Sequence, residues 1–390
     1  MTALPCPVCG TIAHDKLVLV RAVPLIGCQI AASRAEALAV GRGDLDIVAC
    51  RECHHVFNRA FEPERIAYRQ GYENSLGFSR RHRAHIDTIV SSLIERYDLR
   101  SKTVVEIGCG SADFLRQLCA AGRNRGIGYD PSQPSQPAVP AGNGSVEIVG
   151  TSFGDAAPGI VDAICAQHVL EHLRQPVETL RWARAHLVAG GVGYFEVPNA
   201  DTIFRNLNIW DLTYEHVSYF SPGSLRRALT EAGFSVLHVE STFGGQYLDA
   251  EAIAEPHSVS MPATETFDGF PASFARAMAF WRKQVSEWRE ARQKVVLWGA
   301  GTKAVAFLNM LGIRAGYGID YVVDINPRKP GRYIPGTGQC IVPPEFLREY
   351  RPEWVVVMNP EYRSEIEAQL RELQVGGTVI QSVLADPCLA

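Results

Sequence analysis

The residues best suited to chemistry fall within 210–221, Trp-Asp-Leu-Thr-Tyr-Glu-His-Val-Ser-Tyr-Phe-Ser, where Glu215 and His216 stand beside Tyr214 and Tyr219. A histidine titrates near neutrality and a carboxylate can orient and tune it, so this is a set suited to abstracting a proton. The competing reading is structural: Ser221-Pro222 marks the start of a helix over 222–232, which Glu215 and His216 would cap. A second set is Cys6-Pro-Val-Cys9 with Cys50-Arg-Glu-Cys53. Four thiolates form the tetrahedral soft-donor set that Zn²⁺ prefers. His54 or His55 could replace one sulfur, and reduced, incidental cysteines are the alternative. The stretch between the two pairs exceeds the usual zinc-ribbon gap of about 15–20 residues, so it must carry its own structure. Nothing beside these cysteines would activate water, and a small domain with a thin core gains stability from a metal.

The elements that position these groups centre on 103–110, Thr-Val-Val-Glu-Ile-Gly-Cys-Gly. An apolar β-branched run ends in Glu106, turns through Gly108 and Gly110, and opens into an amphipathic helix that begins with Asp113 and Phe114. Glycine tolerates positive φ and lets a ligand approach bare backbone. Acidic Glu106 suits an ammonium group better than a pyrophosphate. A second strand, 126–130, ends in Asp130, the usual place to hold ribose hydroxyls. Strand, Glu-x-Gly-x-Gly, helix, strand, Asp resembles the S-adenosylmethionine site of a class I methyltransferase. That likeness puts Ser152 and Phe153 where the adenine ring is framed. Gln167 and His168 then fall on the segment that closes over the cofactor, with His168 near its methionine end. For His168 and His172, ligand contact and helix-start packing both stay open.

The rest of the central unit reads as a surface loop over 131–144, strands at 146–149, 161–166 and 192–197, and a helix over 177–187. Strands at 235–241 and 245–254 complete a seven-stranded sheet with a terminal hairpin. The stretch 61–100 is polar and helical in pattern. Within it, Tyr68, Tyr72, Asn74 and Ser75 form an aromatic-polar cluster that could line a substrate pocket or pack as a linker. The spacing predicts a long helix over 272–293, then a second strand, glycine turn and helix at 294–304, with Gly299, Gly301 and Ala304. Strands at 319–325, 354–358 and 378–383 follow. This small Rossmann-like unit, with Asp324 after its second strand, could hold a dinucleotide, cradle the phosphates of a substrate at its helix start, or serve structure alone. The division expected is 1–70, 71–254 and 255–390, an α/β chain of three units.

Composition narrows the function classes. A hydrophobic share of 46% and a charged share of 21% describe a soluble globular protein. A net charge of −4 gives nucleic acid no basic surface. No apolar run approaches the ~18 residues of a membrane span. The cytoplasm is the expected compartment, a small molecule the expected partner, and there the cysteines suggest metal ligation or buried thiols rather than disulfides. The oligomeric state is not legible.

Taken together the motifs resemble the bacterial sugar C-methyltransferases acting on nucleotide-linked deoxysugars. The likeness runs over nearly the whole chain. It includes both cysteine pairs, Glu106-Ile-Gly-Cys-Gly110, Val169-Leu-Glu-His172, Glu196-Val-Pro-Asn199, Glu215-His216-x-Ser-Tyr-Phe-Ser221, Gly299-Ala-Gly-Thr-Lys303 and Tyr321-Val-Val-Asp324. The resemblance implies a structural zinc domain, a methyltransferase core and a Rossmann-like C-terminal domain that helps hold a nucleotide sugar. It places the catalytic histidine and glutamate on His216 and Glu215, and a pocket tyrosine on Tyr72. One departure stands out: the family's Tyr-His-Glu-His is here Thr213-Tyr214-Glu215-His216, so the pocket wall differs while the base is kept. The mechanism expected has His216, oriented by Glu215, remove a proton next to a ketone while Tyr214 or Tyr219 hydrogen-bonds the enolate oxygen. O-methylation, carbon methylation of a non-sugar natural-product precursor, and non-catalytic binding of S-adenosylmethionine or a nucleotide are the alternatives.

Overall fold

Among the described residues three sheets organise the chain, and the first of them takes in a strand from far along the sequence. The computed structural model describes residues 4–66, 72–73, 75–156, 158–255 and 264–384. Tyr68, Asn74 and Cys388 lie outside these. Strand β1 (His14–Pro24) pairs antiparallel with β2 (Arg42–Cys50), and between them runs the short helix α1 (Arg34–Leu38). Alternation along β2 turns Leu45 and Ile47 inward, both fully buried. Strand β3 (Val56–Asn58) follows the second cysteine pair and adds to β2.

The central unit begins with α2 (Arg80–Tyr97), capped by the Ser79 side chain, and continues through β4 (Thr103–Ile107), α3 (Asp113–Gly122) and β5 (Arg125–Tyr129). Next come β6 (Gln136–Ala141), β7 (Gly144–Val149), β8 (Val161–Gln167), α4 (Pro176–Ala185) and β9 (Leu187–Pro198). Helix α5 (Ala200–Phe204), the two-residue β10 (Ser218–Tyr219), α6 (Pro222–Glu231), β11 (Ser235–Thr242) and β12 (Tyr247–Ile253) complete it. The sheet order is β11-β12-β9-β8-β4-β5-β7-β6, so the strand order reverses around β4, where an open α/β sheet leaves a crevice for ligands. The sheet has eight strands where seven were expected. Residues 131–144 do not form a loop throughout, because β6 pairs antiparallel with β7 at the sheet edge. Pro137 and Pro140 obscured it, and only an edge strand tolerates their missing N–H groups. Of the helical pattern over 61–100, the described residues keep α2 and a 3₁₀ turn at Pro63–Arg65.

Strand β10 leaves this sheet altogether. It pairs with β3, Ser218 opposite Phe57 and Tyr219 opposite Val56, so the N-terminal sheet runs β1-β2-β3-β10.

Helix α7 (Phe270–Glu290) leads into the last unit, made of β13 (Val295–Trp298), α8 (Thr302–Leu311), β14 (Ile319–Val323) and β15 (Cys340–Val342). Then follow α9 (Leu347–Tyr350), β16 (Trp354–Val357), α10 (Arg363–Glu372) and β17 (Val379–Ser382). Its parallel sheet runs β15-β14-β13-β16-β17, and β15 had no signal in the sequence. One buried cluster joins Leu45 and Ile47 of β2, Trp210 and Tyr214, Trp281 of α7 and Phe307 of α8. The segment from α5 to β10 is thus wedged between the N- and C-terminal units.

Candidate active site

The first glycine turn is built as its residues require. Gly108 and Gly110 have φ of +67° and +51°. A Cβ at Gly108 would lie 2.4 Å from a methyl of Val169, so only glycine fits. Asp130 braces the turn, accepting from Gly110 N at 2.8 Å on one oxygen and from Ser132 on the other. Glu106 is 4% exposed, its Oε2 has no hydrogen-bond partner among the described residues, and burial pushes its carboxyl up to about 8. The Gln167 amide nitrogen at the end of β8 is equally unpartnered. Phe153 stands edge-on to Tyr129, 5.4 Å between centroids, next to Asp130, and Ser152 is exposed beside it. Asp113 is exposed and accepts from Ser111, whereas Phe114 is buried near Tyr194 in the core. Phe114 is therefore a packing residue.

After β8 the chain turns through His168, held at a φ of +53°. Its Nε2 lies 3.1 Å from Glu196 and its Nδ1 3.6 Å from Glu171. Burial opposes its charge, but the two carboxylates outweigh that and push His168 up to about 10. Glu196 is shared with His85 of α2 at 2.7 Å, and Tyr247 stands edge-on to His168 at 4.5 Å. Glu171 and His172 sit in a 3₁₀ turn, and the helix expected there starts only at Pro176. His172 Nδ1 lies 3.0 Å from the Glu215 carbonyl, and its ring is 4.9 Å from that of His216. Burial, then His172, bring His216 down to about 3, so it is neutral at ordinary pH.

The structure corrects three of the expected roles. The Glu215 carboxylate does not hydrogen-bond His216. It accepts from Gly27 N at 2.9 Å and from the Tyr72 hydroxyl at 3.1 Å, and burial raises its pKa. Tyr214 points into the N-terminal unit, where its hydroxyl accepts from Glu62 N at 3.0 Å and its ring packs on Phe61. Tyr219 is buried and donates to the Thr213 carbonyl at 3.2 Å. The turn at 214–215 and the docking of β3 on β10 decide these directions, and neither is visible in a linear motif. The helix α6 is capped by Ser221, not by Glu215 or His216.

His168, Glu171, His172 and His216 line one side of a cleft of about 270 Å³. Tyr72 and Cys28 lie along it, and the other side belongs to the C-terminal unit: Gly299, Gly301, Thr302, Lys303, Asn326 and Lys329. Lys303 reaches across to Asp211 at 2.7 Å. Asp324 accepts from Ala300 N at 2.8 Å, Asn326 N at 2.8 Å and Lys329 at 3.0 Å, so it braces its own turn as Asp130 does. Sequence reasoning gave no site role to Cys28, Tyr247, Asp211, Lys303 or Glu196, although the last three lie in quoted motifs, because each enters the site through a fold-level contact.

The four cysteines do meet. Cys6 Sγ lies 3.5 Å from Cys53 Sγ, Cys9 Sγ lies 3.5 Å from Cys50 Sγ, and all four sulfurs are within 4.8 Å of one another. Metal–sulfur bonds of about 2.3 Å fit inside that tetrahedron. His55 is not a ligand; its ring lies tilted against Phe220, 4.9 Å between centroids, and its Nε2 lies 3.1 Å from Ser218 Oγ.

Residues 79–239 match the model of a methyltransferase domain, and residues 246–383 that of the C-methyltransferase C-terminal domain. The C-methyltransferase NovU of Streptomyces niveus is 26% identical over 405 residues, spanning 96% of this chain and 94% of that one. A tRNA U34 carboxymethyltransferase of Cronobacter sakazakii is 25% identical over 47% of this chain and 62% of its own length. Among solved structures, magnesium protoporphyrin IX methyltransferase from Synechocystis is 18% identical over 44% of this chain and 83% of that one, with a TM-score of 0.35. The sheet order, the glycine turn at the β4 crevice and the matching domain define a class I methyltransferase that uses S-adenosylmethionine. With the second domain, the chain belongs to the C-methyltransferases. No helix among the described residues is long and apolar enough to cross a membrane.

Proposed function

We propose that this enzyme methylates a carbon of a nucleotide-linked keto-deoxysugar. The observation that carries the reading is the two-sided cleft: imidazoles from the methyltransferase core face the glycine turn and the Lys303 and Lys329 side chains of the C-terminal unit. A helix start with bare amides and nearby cations suits a diphosphate, while the opposite wall suits a ketone and its acidic carbon. S-adenosylmethionine, when bound at Glu106, Gly108, Gly110 and Asp130, supplies an electrophilic methyl group for that carbon. His216 takes the proton, since burial keeps it neutral and able to accept. With Tyr214 and Tyr219 turned away, Tyr72 is the tyrosine that lines the cleft, and its hydroxyl, which here donates to Glu215, would meet the developing oxygen charge by turning from that carboxylate. Glu215 fixes the Gly27 loop and Tyr72 around this wall.

The four cysteines are proposed to hold a structural Zn²⁺, because their sulfurs already form a closed soft-donor set with no open position beside a reacting group.

Mass spectrometry and NMR of products from S-adenosylmethionine and a panel of nucleotide-linked keto-deoxysugars test the proposal. The expected product gains one methyl on a carbon adjacent to the ketone. A cofactor-binding enzyme that methylates none of the panel would overturn the sugar assignment, and Thr213 would then be the first residue to examine.

A further inference from the structure

Glu215, the carboxylate adjacent to His216 in sequence, spends both oxygens on Gly27 and Tyr72. The base still needs a counter-charge, and the fold supplies one from another element. Glu171 lies in the 3₁₀ turn after β8 and is 2% exposed. Its Oε1 faces His168 at 3.6 Å. Its Oε2 is buried with no hydrogen-bond partner among the described residues, and the same holds for Nδ1 of His216. One ligand-type atom each of Glu171, His172 and His216 lies within 4.8 Å of the other two. The Glu171 carbonyl also accepts from Val217 N at 2.8 Å, which ties this turn to the segment between His216 and β10.

From this geometry we infer that Glu171 is the positioning residue for His216, holding the ring and balancing the imidazolium that forms when substrate loses its proton. The inference rests on the proton-abstraction reading above. A buried ionised carboxylate with one free oxygen is costly unless a positive group meets it, and that cost is relieved when His216 accepts a proton. His168, His172 and His216 together hold the Glu171 carboxyl below its ordinary value against the effect of burial. The charged groups that act most on His216 are His172, Glu171, His168 and Lys303, of which Glu171 alone favours its protonation; Glu215 is adjacent in sequence, and the Tyr219 ring stands 6.2 Å away. The proton moves from the substrate carbon to His216, and the electron pair passes into the enolate; nothing else is consumed.

The test compares wild type, Glu171→Gln and Glu171→Asp with nucleotide-linked keto-deoxysugars in D₂O, with S-adenosylhomocysteine replacing the cofactor. The readouts are deuterium incorporation next to the ketone and, with S-adenosylmethionine, kcat and KM. Expected for Glu171→Gln is a loss of exchange and of kcat of roughly 10- to 100-fold, KM and cofactor affinity within about threefold, and partial recovery in Glu171→Asp. Wild-type exchange in Glu171→Gln would overturn the inference. So would equal loss of binding and turnover in both variants, which marks a folding role. A wild-type enzyme that stops with a chelator and restarts with a divalent ion while its cysteine cluster keeps zinc by elemental analysis would assign the Glu171-His172-His216 group to a metal instead. Absence of both exchange and methylation in wild type would overturn the proton-abstraction reading, and this inference with it.

Discussion

At the scale of single residues, Glu106 carries an uncommon burden. It is buried at the end of β4 with one oxygen unpartnered, and burial lifts its carboxyl to about 8. In the free protein it is therefore largely protonated near neutrality. To meet the ammonium of S-adenosylmethionine it must ionise, so binding releases a proton and tightens as pH rises toward that value. Calorimetry in buffers of different ionisation enthalpy should show proton release below about pH 8 and an affinity that levels off above it. Glu106→Gln should bind roughly 10- to 100-fold more weakly, with the pH dependence gone. An affinity that is flat with pH in wild type would remove Glu106 from the ammonium site. The same logic of burial explains His216, which stays neutral without help, and whose difficulty is holding a proton rather than losing one.

At the scale of elements, the link that matters most is the ladder of β3 and β10. The cysteine knuckle at Cys50–Cys53 leads directly into β3, β3 pairs with β10, and β10 begins two residues after His216. His55 adds a side-chain contact to Ser218. A metal in the cysteine cluster would thus fix the strand that follows the base, while the cofactor turn stands on a different sheet. Cys53→Ser should lose bound zinc, measured by elemental analysis, and lower the melting temperature by roughly 5–10 °C. Its kcat should fall by at least about tenfold, while S-adenosylmethionine binding stays within about threefold. Loss of cofactor affinity in step with kcat would mean that the cluster supports the whole chain rather than this strand. The sequence carried the two glycine turns, the cysteine spacing and most strands, because each is set by local pattern: β-branched runs, Gly after a strand, Cys-x-x-Cys. It did not carry β6, hidden by its prolines, or β10, too short to show a period. Nor did it reveal the carboxylate beside His216. Sequence adjacency favoured Glu215, but that residue sits in a turn and its carboxylate is spent on Gly27 and Tyr72, and the carboxylate grouped with His216 comes from a turn more than forty residues earlier.

At the scale of the molecule, the cleft exists only because three units close on it. Lys303 of α8 reaches Asp211 at 2.7 Å, Asn326 reaches Glu73 at 3.0 Å, and Ser79 reaches Glu365 at 2.7 Å. Titratable groups buried by this closure set how stability depends on pH. His55, His82 and His216 are held at about 3, 4 and 3, each mainly by burial. Their ordinary value is about 6.5, so below it the unfolded chain binds protons that the folded chain refuses, and stability falls as pH drops. Glu196, whose carboxyl stays low despite burial through His168 and His85, adds to that loss in stronger acid. The opposite holds for Glu106 at about 8, Asp249 at about 7 and His168 at about 10, which keep protons that the unfolded chain releases. The share of Glu106 and Asp249 is lost from about pH 4 up to those values and that of His168 from about 6.5, so once the three low histidines stop adding stability, at about 6.5, the net stability falls as pH rises. The cofactor-free protein should therefore melt highest near pH 6.5, with lower midpoints at about pH 5 and about pH 8.5. Adding S-adenosylmethionine should flatten the alkaline side, since an ionised Glu106 no longer favours the low-pH form. Differential scanning calorimetry across that range measures both curves. A melting temperature that climbs steadily into alkali would show that Glu106 and His168 are not held as the closed cleft requires.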